Sequence, residues 1–436
     1  MQAADYPTYA AAFRFWFKLG WISFGGPAGQ ISIMHDELVD RRKWISNSRF
    51  LHALNYCMLL PGPEAQQLAI YIGWLLHGVK GGLTAGMLFI LPSVLILLGL
   101  SLVYVTWGSV PWIQALFSGL KPAVVAIILC AVYKIGSKSL VSATHVVTAV
   151  LSFSAMFFLK VPFPLILLSA ALFALILKWK APALLHASSG SAKKQESEEA
   201  GFLLNATNPA GDGFQINRFL RQLAITLVFW GMPLLIFLVL FTESGFWIQL
   251  STFFTQAALV TFGGAYAVLP YVAQVTVQQL GWLSPLQMVD GLALGETTPG
   301  PLIMVLAFVG FMAGYNLHDA SVVYGTLALL TTVWFTFLPG FFFIFAGAPV
   351  IERTRDNPAV KAILTIISAA VVGVILNLAL FLGQEVLFPS GVQSDSISWF
   401  PVGWMAISLL ALIRYKVNLI LWIGISALAG LAAGGW

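Results

Sequence analysis

Three cations and three acids in this sequence occupy places where charge is costly. Arg14, Lys18 and Lys121 lie in or beside apolar runs such as FRFWFKLGW and SGLKPAVVA, as do Glu64, Asp290 and Glu296. Ionisable side chains inside membrane-length apolar segments are rare and mark ion or proton pathways by default. Arg14 and Lys18 are four residues apart, so a helix carries both on one face. The bland alternatives are snorkelling of the two cations to headgroups, helix-end capping by Glu64, and pairing of Lys121 with Glu64 or a backbone carbonyl. His35-Asp36-Glu37 is contiguous rather than spaced as ligands on a helix, so no metal site is expected. Cys57 and Cys130 read as buried thiols. With no nucleotide loop and no nucleophile triad, neither a cofactor nor an enzyme activity is expected.

The elements that must position these charges are interrupted ones. The apolar stretch 50–76 is long enough to cross a bilayer, yet Pro61-Gly62-Pro63 sits at its middle and Glu64 follows at once. Two prolines remove backbone donors and clash with the preceding turn, so the helix stops and restarts. Basic residues on both sides, Arg41-Arg42-Lys43 and Lys80, point to a re-entrant hairpin with the proline turn at its tip, the alternative being a kinked span that crosses fully. Residues 8–42 form a second hairpin with Phe24-Gly25-Gly26-Pro27 at its tip. Irregular backbone at such depth is tolerated only where protein or a water-filled cavity covers it. Each new helix start aims free N–H groups and a positive dipole end at that cavity, which makes it an anion site.

Composition demands lipid as part of the solvent. Of 436 residues, 59% are hydrophobic and 9% charged, against roughly 25% charged in soluble domains. The net charge of +5 sits in loops and points to no nucleic-acid partner. The N-terminus MQAADYPTYA lacks the pattern of a cleavable signal. Nine spans are expected, at about 81–107, 112–133, 141–159, 161–177, 222–241, 320–346, 359–383, 400–413 and 417–434, each judged against the ~20 residues a crossing needs. Residues 181–217 read as a polar linker unable to pack a core. Basic residues flank it, so it lies in the cytoplasm with Lys134, Lys138, Arg353, Arg355, Lys361, Arg414 and Lys416. The loops expected outside hold a single cation, Lys160.

The chain repeats itself. At an offset of 238, Phe24-Gly25-Gly26 recurs as Phe262-Gly263-Gly264, Trp44 as Trp282 and Pro61-Gly62-Pro63 as Pro299-Gly300-Pro301. Further on the offset becomes 247, so that Leu91-Pro92 meets Leu338-Pro339. Registered motifs of this kind indicate duplication. Equivalent loops carry opposite charge bias, so the copies are expected upside down with respect to each other, an architecture of alternating-access transporters. The expected fold is an all-α polytopic membrane protein: a repeat at 1–180, the linker 181–217, one extra transmembrane helix at 218–245, and an inverted repeat at 246–436. Thr252, Gln256 and Ser368 occupy the places of Arg14, Lys18 and Lys121, so all cations of the candidate site come from the first half.

With those motifs in hand, the sequence resembles the chromate transporter family in its long, two-domain form. The resemblance rests on Arg14, Lys18, Gly20 and Phe24 to Pro27, on Arg42 and Trp44, and on Pro61 to Ala69. In the second half it rests on Phe262 to Gly264, Trp282 and Gly295 to Pro301. It implies chromate export across the bacterial inner membrane, with sulfate as a look-alike and chromate resistance as the outcome. The candidate binding set is Arg14, Lys18, Gly25, Gly26, Pro27, Gly62, Pro63, Gln66, Lys121, Gly263, Gly264, Gly300 and Pro301. Glu64, Glu296 and Asp290 are the candidates for proton coupling, because an ionised Glu64 would repel a dianion at the same helix start. The expected partners are chromate or sulfate, the bilayer and a second copy in a homodimer. The second half departs from the first, with Ala265 in place of Pro27 and Leu302 in place of Glu64.

Overall fold

A computed structural model describes residues 6–24, 26–180, 203–204, 215–241, 244–262, 264–354, 358–388 and 398–434. Gly25, Gly263 and most of the linker therefore lie outside the described residues. The first half comprises α1 (Tyr9–Ile22), α2 (Gly26–His35), α3 (Asn47–Cys57), α4 (Glu64–Trp107), α5 (Pro111–Ser139), α6 (Ala143–Phe157) and α7 (Phe163–Lys180). A lone helix, α8 (Ile216–Leu240), follows. The second half comprises α9 (Ser244–Leu259), α10 (Ala265–Ala273), α11 (Pro285–Thr297), α12 (Val305–Leu317), α13 (Val322–Thr354), α14 (Pro358–Leu387), α15 (Trp399–Ile413) and α16 (Leu419–Ala433).

The fold is an all-α polytopic membrane protein. Six helices are long and apolar enough to cross a bilayer, within α4, α5, α7, α8, α13 and α14. The expected spans at 141–159, 400–413 and 417–434 form helices of 15 residues each, α6, α15 and α16. At 1.5 Å per residue these are shorter than a ~30 Å hydrocarbon core.

α4 is two helices. At His77 and Gly78 the backbone leaves helical geometry, with φ +59° at the glycine, and the chain folds back on itself. Gly73 then meets Gly81 and Ala85, and Ile70 meets Gly86, so the arms 64–76 and 79–107 pack closely as an antiparallel pair. α12 and α13 make the same hairpin, with Gly310 against Thr332 and Gly314 against Tyr324.

The two halves interlock by exchange. The hairpin α6–α7 packs on α14 of the second half, while α15–α16 packs on α5 of the first, and α5 and α14 touch each other. α8 stays at the periphery against α9 and α13, held by Trp230 Nε1–H donating to Thr255 Oγ1 at 2.9 Å. Among the described residues the only extended pairing joins Ile45 to Leu204. There the linker departs from expectation: Leu204 is buried, and its N–H donates to the Trp44 carbonyl at 3.2 Å.

Candidate functional site

Both proline turns are present as breaks, and each is clasped by the opposite half. Gly62 N–H donates to the Thr261 carbonyl at 2.8 Å, and Gly300 N–H donates to the Ser23 carbonyl at 2.7 Å. Gly62 and Gly300 are repeat counterparts, as are Ser23 and Thr261, so the two bonds form one reciprocal pair of the kind a two-fold relation generates. Left-handed φ values of +118° and +91° at these glycines make the turns feasible. Ser93, midway along the arm 79–107, donates its hydroxyl to the Pro299 carbonyl. The breaks therefore meet in cross-half pairs, the one at Gly300 lying against mid-length of the arm 79–107. The N–H groups of Gly62 and Gly300, expected to face an anion, are engaged in the clasp.

Carboxamides surround these turns. Gln67 Nε2–H donates to the Pro61 carbonyl at 2.7 Å, and Gln30 Nε2–H donates to the Gly300 carbonyl. Gln66 is fully buried, and neither its oxygen nor its nitrogen has a hydrogen-bond partner. A buried, unpartnered amide is costly, about 1–3 kcal/mol, and marks a place where water or a ligand completes the set. Pro63 caps the helix that begins at Glu64, Gly26 and Gly264 open α2 and α10 with positive φ, and Pro27 and Pro301 follow their breaks.

Lys121 pairs with Asp290, not with Glu64. Its Nζ lies 3.5 Å from Asp290 Oδ1, with the carboxylate side chain only 6% exposed. The Tyr104 hydroxyl donates to Asp290 Oδ2 at 2.9 Å. The three groups come from α5, α11 and α4, so the pair bridges the halves. They line a cavity of about 560 Å³ that also takes in Gln114, Ser284, Gln287 and Tyr315. Glu296 accepts the Tyr266 hydroxyl at 2.5 Å. Glu64 is buried, and neither it nor Glu296 makes an ion pair among the described residues.

Arg14 and Lys18 do share a helix face, as their spacing requires, but it is the exposed face of α1, together with Phe13, Phe17 and Trp21. The opposite stripe, Ala12, Phe15, Trp16 and Leu19, is the buried one. Gly20 lies against the Leu88 carbonyl and Pro92, close enough to exclude any side chain. His35, Asp36 and Asp40 gather at the first π-helical turn, Asp36–Arg41. Both His35 nitrogens are engaged, Nδ1 with Asp40 at 3.3 Å and Nε2 with Asn47 at 2.9 Å, which reads as a surface polar cluster.

Tyr104, Tyr266, Ser93, Gln30 and Gln67 were not singled out by the sequence. Ser93 and Gln67 had a local signal, adjacency to the repeated Leu-Pro and Pro-Gly-Pro motifs. Tyr104 and Tyr266 had none, because each meets its acid only through the tertiary fold.

The sequence model of the chromate transporter family matches the chain twice, over residues 10–175 and 248–431. The chain belongs to the chromate transporter family. A chromate transport protein of Pseudomonas aeruginosa is 30% identical over 97% of this chain and 92% of its own length. One from Cupriavidus metallidurans is 28% identical over 87% of this chain and 84% of its own length. A shorter relative, the uncharacterized transporter YwrA of Bacillus subtilis, is 30% identical over 29% of this chain and 70% of its own length. Family membership thus extends over both halves and leaves α8 and the linker outside the matched ranges. No solved structure matches the chain.

Proposed function

We propose that this protein is a secondary transporter that carries chromate out of the bacterial cytoplasm across the inner membrane. The proton gradient or the membrane potential drives it, and chromate resistance is the result. The single observation that carries the mechanism is the reciprocal clasp between each proline turn and the other half's glycine break. In an inverted repeat, such a pair lets the halves exchange roles, so that access alternates between the two sides. The relatives named as chromate transport proteins support the substrate.

Lys121 is the cation best placed to meet a dianion inside the fold. Asp290 already holds it, so an incoming anion competes with a carboxylate for one ammonium group. A proton on Asp290 removes the competitor, so the Lys121–Asp290 pair couples anion binding to protonation; on this route proton and anion move together, and the membrane potential acting on the dianion is the force that drives export. Glu64 and Glu296 remain the other acids able to serve. Arg14 and Lys18, exposed on α1, fit an approach route better than the cavity at Lys121, and the buried groups Gln66, Gly62, Pro63, Gly300 and Pro301 lie at the crossing point.

Sulfate shares charge and shape with chromate and is the rival substrate on the same scaffold. The deciding experiment measures chromate uptake and sensitivity in cells with and without the gene, repeated with excess sulfate. Lower chromate accumulation in cells carrying the gene, unaffected by sulfate, is the expected result. Equal accumulation in both strains removes chromate export.

A further inference from the structure

We infer that the cavity beside Lys160 is a second oxyanion site, separate from the one at Lys121. It lies between the α6–α7 turn, the end of α10 and the C-terminal part of α14, and has a volume of about 230 Å³. Lys160, Gln274, Gln278, Asn377 and Gln384 supply its polar lining, and among the described residues no carboxylate lines it. A carboxamide can turn its N–H groups toward an anion, and an ammonium adds three more donors. Gln274 is 6% exposed and its Oε1 has no partner, so turning the carboxamide over breaks no hydrogen bond at the oxygen and puts the N–H group in its place. Lys160 itself holds a left-handed backbone, φ +52°, which costs a non-glycine residue energy.

The repeat supplies an independent contrast. Gln274 and Gln278 stand where the first half has Asp36 and Asp40. The carboxylates at one end of the molecule would repel an anion, whereas the carboxamides at the other are neutral donors. The volume suits a small inorganic anion with several waters, each needing about 30 Å³, and falls below the ~300–1,000 Å³ of sites for larger organic ligands. That the anion is a tetrahedral oxyanion rests on the transport reading above; the cavity chemistry does not.

Equilibrium dialysis of the purified full-length protein against labelled chromate, and separately labelled sulfate, tests the site. Lys160→Gln and Gln274→Asp are each expected to weaken one class of bound anion at least roughly tenfold, the effect of one lost charge-assisted contact. Gln274→Asp copies the first half's own residue, so it is compatible with this backbone turn. Lys160→Arg should retain the binding, and Lys121→Gln should leave this class unchanged. A wild-type protein with a single class of site, or unchanged binding in both Lys160→Gln and Gln274→Asp, overturns the proposal. If Lys160-dependent binding is found but the cells show no chromate export, the transport reading fails and the site stands.

Discussion

The two π-helical turns, Asp36–Arg41 and Gln274–Gln279, are one backbone written with two chemistries. After each, a left-handed residue follows, Lys43 in the first half and Gly281 in the second, with φ of +54° and +60°. Trp44 N–H then returns to the Leu38 carbonyl at 2.8 Å, and Trp282 N–H to the Thr276 carbonyl at 2.7 Å. Ser46 and Ser284 next cap α3 and α11 through their hydroxyls. The charges share none of this symmetry. Glu37 binds Arg41 at 2.9 Å and Arg42 at 3.3 Å in the first half, while the counterparts are Val275, Gln279 and Leu280. The two turns share one backbone, and the difference in charge makes them chemically unlike.

The strongest way to break this comparison is to straighten the turns. Replacing Pro61-Gly62-Pro63 or Pro299-Gly300-Pro301 with alanines should abolish chromate flux in either case, with protein still present in the membrane by blotting. Loss in only one variant would mean that the clasp is not reciprocal in function. Cysteine labelling tests the expected orientation: positions 110 and 391 should react from outside, and 42, 190 and 355 only from the cytoplasm. Labelling of 42 and 110 from the same side would remove the inversion.

Smaller effects sharpen it. Lys121→Gln should weaken chromate binding about ten- to a hundred-fold, as expected for a lost charge-assisted contact of ~1.5–3 kcal/mol. Asp290→Asn leaves Lys121 without a competitor, so binding should tighten and lose its decline with rising pH. Glu64→Gln should keep that decline if Asp290 is the coupling acid, and proteoliposome flux against an imposed pH gradient distinguishes the two. Gly300→Ala should be worse than Gly62→Ala, because a Cβ at 300 would overlap Ser93 Oγ, whereas at 62 it would meet the flexible Gln67 Nε2 at 2.8 Å. Both suffer the left-handed backbone, ~1–3 kcal/mol, and Ser93→Gly, which copies its counterpart Gly340, should restore part of the difference in thermal unfolding. Smallest is Asn316→Ala. Asn316 Nδ2–H donates to the Trp282 carbonyl at 2.9 Å, where the first half uses Leu204 of the linker. Its removal should cost about 1 kcal/mol in the same unfolding assay, without moving substrate affinity.

Breaks and long spans were legible because proline, glycine and apolar length are local signals. Pro61-Gly62-Pro63 ends α3 and starts α4 as its chemistry requires, and the lone α8 falls where the apolar run 222–241 lies. The reversal at His77–Gly78 was legible only as basic residues on the wrong side for a simple crossing. Pairings across the halves were not legible, since nothing in SGLKPAVVA distinguishes Asp290 from Glu64 as the partner of Lys121. The burial of Leu204 was missed for a related reason: two leucines inside a polar stretch carry no periodicity, and only the open Trp44 carbonyl gives them a place.

The exchange of helical hairpins also sets a timetable for synthesis. α7 ends at Lys180, but α14, against which α6 and α7 pack, begins only at Pro358. At ~5–20 residues per second, translation takes roughly ten to forty seconds to cover that gap. Through that interval the nascent α6–α7 hairpin is without its packing surface, and the surface of α5 awaits α15–α16, which are translated later still. A ribosome stalled within 181–217 would therefore release a first half whose helices are made but whose neighbours are missing, the form of the chain most exposed to membrane proteases.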